Sequence, residues 1–274
     1  MAETEPAAGE DALYVLTACL LTPAQFPSVL GDDYPAACAA LGLAPYDAGY
    51  GLLLGQDGLG ARWTVVIDDV SLVAVAIASW DCGMAYDLSP DERSVVTGLP
   101  GWPLAVATQA PGLPDPHDPA PEEGDPAPLV PPAGDAWGPA QRRLGADEVA
   151  RQWHEWRGQV EPGPDPAPAA GPAADPESVQ DPASGPYAQV RRVLDELRGY
   201  LDQPPPAGRV RSGFAGEGAR MLRADGPGWS LVARTDDMAF VLLDAYPREV
   251  LPVARGPRLP ALLEGLEALA VRPS

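Results

Sequence analysis

Residues 60–80, "GARWTVVIDDVSLVAVAIASW", and residues 226–246, "GPGWSLVARTDDMAFVLLDAY", decide how this chain is read. Each holds a glycine, a tryptophan followed by Thr or Ser, an apolar run, an Asp-Asp pair and a second apolar run reaching an aromatic residue. Read alike, both are β-hairpins with Asp68-Asp69 and Asp236-Asp237 at the turns, since aspartate bonds its own backbone and tolerates turn geometry. Val70 to Ala78 is apolar at every alternating position, which predicts a central strand covered on both faces.

Helices fit around these hairpins. Pro35 to Leu43 is Ala-rich, and Ser89-Pro90-Asp91-Glu92 has the cap, proline and acids of a helix start. Tyr187 to Asp202 carries Val190, Leu194, Leu197 and Leu201 at helical spacing, and Leu259 to Ala270 repeats the pattern with Leu262, Leu263, Leu266 and Leu269. The fold class expected is α+β: two small modules, each an antiparallel sheet with flanking helices, related as a pseudo-repeat and joined by a disordered Pro-rich tether. The boundaries expected are a disordered acidic N-terminus (1–12), a first module (13–110), a Pro-rich acidic linker (111–186) and a second module (187–274).

The linker holds 18 of the 35 prolines, so it lacks the apolar area to offset ordering entropy. One stretch within it differs. In "DEVARQWHEWRGQV" (147–160), Val149, Trp153, Trp156 and Val160 step by four, three and four along one side of a helical island at 139–160. An isolated helix of this length is marginal in water and needs a surface. Two surfaces satisfy it: the chain's own modules, or a groove on another protein for which Trp is a favoured anchor. The four stripe residues are therefore the candidate partner-binding set.

All 18 basic residues are arginine, and asparagine is also missing, which points to a GC-rich genome such as an actinobacterium's. Without lysine there is no Schiff-base catalysis and no G-x-x-x-x-G-K phosphate loop. The net charge of −21 argues against nucleic acid and anionic membranes as partners. The acidic N-terminus lacks the positive charge of a secretory signal, and three cysteines are an odd number for a disulfide framework, so a cytoplasmic protein is expected.

Catalytic signals are sparse. His117 and His154 are the only histidines and both lie in the linker; no metal-ligand spacing appears, and no metal or cofactor is expected. Cys82, in "WDCGMAYD", is the single plausible nucleophile. The glycine patterns "GYGLLLG" and "GFAGEGAR" do not sit between a strand and a helix as a nucleotide loop must. Beside the second, Arg209, Arg211, Arg220 and Arg223 form a candidate anion-binding cluster.

Residues 229–270, "WSLVARTDDMAFVLLDAYPREVLPVARGPRLPALLEGLEALA", resemble the strand–turn–strand–helix passage of EspG-family proteins, the actinobacterial chaperones of type VII secretion. That resemblance implies a quasi-twofold α/β fold and a secretion-linked chaperone. The function expected is a non-enzymatic, cytosolic protein-binding adaptor or client-specific chaperone whose partner is another protein. Two alternatives stand beside it: an immunity protein neutralising a cognate toxin, and an enzyme using Cys82 or the paired aspartates.

Overall fold

The computed structural model describes residues 12–160 and 185–272, apart from positions 107, 122, 125 and 217. The expected acidic N-terminus and the linker stretch 161–184 lie outside the described residues. The architecture is α+β, with two antiparallel sheets and flanking helices. The chain divides into two compact units: 12–30 with Ala37–Ala133, and Gly31–Ala36 with 134–272.

The first unit is built on a meander of β1 (Tyr14–Leu21), β2 (Tyr50–Gln56), β3 (Arg62–Ile67) and β4 (Val95–Pro100), each pairing antiparallel with the next. Helix α1 (Tyr34–Ala40) falls where the Ala-rich segment predicts it. The run after Asp68-Asp69 is not a strand. It is helix α2 (Val70–Asp81), which lies across one sheet face with Val73 and Ala76 buried against Ala18, Leu53 and Ile67. Asp69 is its N-cap, accepting a hydrogen bond from the Leu72 amide at 3.1 Å. A wholly apolar run has no period to separate strand from helix, and the Asp cap and alternate alanines tip this one toward helix. Gly51 on β2 lets α2 approach, since a Cβ there would meet Val73 Cγ2 at 2.4 Å.

The expected helix at Ser89–Glu92 also fails to form. Glu92–Ser94 makes a single 3-10 turn capped by Asp91, and Val95-Val96-Thr97 then pair with β3. Three β-branched residues gain more on a sheet edge than in a second helical turn.

The Pro-rich segment after β4 is attached to this unit as far as it is described there. His117 bridges Ala61 and Leu129 bridges Gly101, both in parallel sense. The Gln56 side chain donates to Pro114 O and accepts from the Ala110 amide. Proline lacks the donor for a ladder but keeps its carbonyl, so edge bridges and side-chain bonds hold the segment.

In the second unit come α3 (Pro139–Arg151), α4 (Trp153–Gln159) and α5 (Pro186–Asp202), then β5 (Val210–Phe214), β6 (Arg220–Gly226), β7 (Trp229–Arg234), β8 (Ala239–Leu243), β9 (Tyr246–Val253) and α6 (Leu259–Leu269). The five strands are a second meander. Here the Asp-Asp pair does sit in a hairpin turn, with Arg234 N donating to Met238 O at 3.2 Å. Helices α5 and α6 cover one face over Leu222, Leu231, Val241 and Leu251; α3 and α4 cover the other. The proposed repeat therefore ends at the aspartates: one copy continues into a helix across its sheet, the other into the next strand.

Candidate functional site

The tryptophan stripe is seated on this chain's own second sheet. Val149 and Trp153 are buried with Ala146 against Val232, Met238, Phe240 and Leu242, while Trp156 and Val160 pack half-buried at the margin. Trp153 meets Phe240 edge to face, 5.2 Å between centroids. The break at Gln152 leaves α3 and α4 as two helices of one docked stripe. Of the two surfaces open to the stripe in the sequence, the chain supplies the first.

Each arginine of the candidate anion cluster has an internal partner. Arg209 donates to Asp33 Oδ2 at 2.7 Å, Arg211 to Asp225 Oδ2 at 2.9 Å, and Arg220 to the Ser212 hydroxyl at 3.0 Å. Arg223 pairs with Asp147 of α3 and with Asp225. At the centre lies a residue that no sequence pattern singled out. Arg142 of α3 is fully buried and donates from Nε to Asp244 at 2.8 Å and from its terminal nitrogens to Ser230 Oγ at 2.6 Å and Asp32 at 3.1 Å. With Arg143 on Asp32, four arginines (142, 143, 211, 223) face four aspartates (32, 147, 225, 244).

Burial alone raises the Asp225 carboxyl, but Arg223, Arg211, the Ser230 hydroxyl and Arg142 outweigh it and hold the group below the usual carboxylate range. Guanidinium stays protonated at any working pH. Through Arg142, Arg143 and Asp147 the cluster ties α3 to Asp244, Asp32 and Arg223.

The remaining sequence candidates are dispersed. Cys82 is exposed at the C-cap of α2, Cys38 is buried, and burial pushes the Cys19 thiol up to about 12. His154 is exposed on α4. His117 donates to the carbonyls of Asp118 (2.9 Å) and Leu59 (3.2 Å), and those bonds raise it above its ordinary value. Asp237 receives Arg157 of α4 and Asp236 receives Arg234. Gly216 and Gly218 take positive φ in the β5–β6 turn, which explains that glycine pattern without a nucleotide. Among the described residues no group of three or more His, Cys, Asp or Glu is placed to hold a metal ion. No described helix is long and apolar enough to cross a membrane.

The first unit carries an open groove. Past the C-terminal end of α2 a groove of about 640 Å³ lies over the helix-bearing face of the sheet. Val15, Val65, Trp80 and Leu88 line it, with Tyr86, Asp87, Glu92 and Val95 among its remaining walls. Outside that lining, Val75 of α2 is 49% exposed and Met84 58%, and the Met84 amide donates to Ser79 O at 2.9 Å, placing it against the end of the helix. Between Asp69 and Asp81, α2 has no charged residue at all. Its outward positions are Ser71, Ala74, Val75 and Ala78. A surface helix ordinarily turns charge toward water, and one that is apolar all round is ordinarily covered.

Around this apolar surface acid outnumbers base, with Arg93 the cation that follows it. Residues 68–92 hold six carboxylates and no arginine. The Ser89 hydroxyl and amide hold Asp87 below the usual carboxylate range, so it stays ionised at neutral pH. Compared with known proteins, the chain matches no family model, no curated protein and no solved structure.

Proposed function

We propose that this chain is a non-enzymatic protein-binding adaptor or client-specific chaperone, and that the groove and outer face of α2 are its binding surface. The observation that carries this reading is helix α2, uncharged between its terminal aspartates and seated on its sheet by one face, with Val75 exposed on its outer side and Met84 exposed just past its end. Burying the exposed half of each such side chain is worth about 1 kcal/mol, which favours a second protein covering them. The likeness of residues 229–270 to EspG-family chaperones supports the chaperone form, with a secretion client as partner.

The test uses Cys82 as a handle. It is exposed and follows α2 directly, whereas Cys38 is buried and the Cys19 thiol is masked by its raised pKa. A photo-crosslinker attached there should capture one host protein reproducibly, and Val75→Asp should abolish that capture while leaving the circular dichroism spectrum unchanged. Capture of many abundant proteins, indifferent to Val75, would sink the proposal. The acidic rim also suits an immunity protein facing a basic toxin, and the identity of the captured protein separates the two.

A further inference from the structure

We infer that the partner segment docking on α2 and its groove is apolar with basic residues on its flanks, and that the acidic rim of the first unit selects it by charge. The inference rests on the binding reading above and adds the chemistry of the occupant. The apolar part follows from Val75, Met84 and Val95, which offer contact area and no hydrogen-bonding side chain. The basic part follows from what surrounds them. Asp81, Asp87, Asp91 and Glu92 are all exposed within two turns of chain from the groove, and the first cation after them, Arg93, is held by Asp91 at 3.7 Å. An acidic segment entering this rim adds like charge to Asp81, Asp87 and Glu92, whereas Lys or Arg flanks give them an opposite charge.

The same charges argue against a second copy of this chain. A twofold pairing of α2 with itself sets Asp69 against Asp81 of the other copy if antiparallel, and Asp69 against Asp69 if parallel. Acid meets acid either way, and the chain as a whole carries −21.

The probe is a phage-displayed library of random 12-residue peptides, panned on the full chain and counter-selected on two variants, Val75→Asp in the helix and Met84→Glu outside it. Two variants guard against one that misfolds, and circular dichroism checks both. The expected consensus is an apolar core flanked by Lys or Arg, depleted by both counter-selections. A synthetic consensus peptide should bind at least about tenfold more tightly than its Glu-flanked counterpart at low salt, with the gap shrinking in 1 M salt. An apolar consensus with neutral or acidic flanks that still depends on Val75 and Met84 overturns the charge selection and leaves the binding reading standing. Enrichment that ignores both variants overturns both. Sedimentation of the unmodified chain as a dimer that Val75→Asp disperses makes the occupant a second copy and overturns the inference.

Discussion

Two of the helical segments that lie across sheet faces in this molecule differ in how each is held. The α3–α4 pair reaches its sheet through Val149 and Trp153 and is then fixed by ions, with Arg142, Arg143 and Asp147 bonded to Asp32, Asp244 and Arg223. Helix α2 reaches its sheet through Val73 and Ala76 and carries no ion at all between its ends. Each touches an Asp-Asp pair used differently: Asp69 caps α2, while Asp237 in the β7–β8 turn receives Arg157 of α4. The difference teaches which helix is finished. The tryptophan stripe, the louder signal in the sequence, is consumed within the chain. The quieter, uncharged helix keeps an apolar face in water.

The comparison breaks hardest at the ion-locked pair. Trp153→Ala should lower unfolding free energy by about 3–5 kcal/mol, because the site is closed and its Phe240 contact is lost. Arg142→Ala should cost about 3–5 kcal/mol by taking the buried guanidinium from Asp244 and Ser230 and leaving Asp32 to Arg143 alone, as measured by urea denaturation. Acid tests the same lock. Asp225 has a folded value below its unfolded one, so its contribution is present above about pH 4 and is lost as pH falls further through the folded value. A stability profile flat below pH 4 would show that the carboxylate is not held by its arginines.

Smaller effects belong to α2. Asp69→Ala should cost about 1 kcal/mol through the lost cap, and Asp69→Asn should restore most of it. Val75→Asp should change stability by less than about 1 kcal/mol, since the position is half exposed, while removing partner capture. If it instead destabilises as much as Trp153→Ala, the outer face of α2 is covered within the chain and the contrast between the two helices disappears.

The smallest effect is at His117. Its value is raised by the bond to the Asp118 carbonyl and then by that to Leu59, so the protonated ring holds the 111–121 segment. Its contribution is complete below about pH 6.5 and fades as pH rises through the folded value. Titration of its ring protons by NMR should show an inflection above 6.5, and hydrogen exchange at the Arg62 amide, which donates to His117 O, should quicken above it.

Much of the fold was legible in the sequence because its signals are local. The leucine spacings of Leu197 and Leu266, the turn at Asp236-Asp237 and the stripe from Val149 to Val160 each need only a few neighbouring residues to be read. The run from Val70 to Ala78 was not legible as a helix, since apolar residues at every position but Ser71 satisfy a buried strand and a buried helix equally. Segment 111–133 was misjudged as tether for a related reason. Its composition builds no core, but a chain can be held by edge bridges at His117 and Leu129 to a sheet built elsewhere. The site was missed because Tyr86 and Val95 stand far from Val15 in sequence and meet only across the sheet.

By itself, then, the sequence determined the inventory: arginine as the sole strong base, an excess of acid, helix stripes with a defined apolar side, and a run from Val70 to Trp80 without charge. These depend on residue type and spacing along one stretch of chain. Which stripe would be covered was decided only by tertiary structure. Arg142, Asp225, Ser230 and Asp244 come from four separate stretches, and their pairing exists only once the second sheet brings them within hydrogen-bond reach. That pairing seats α3, and α3 seats Trp153. No comparable pairing covers α2 among the described residues of its unit, and so the open surface is there.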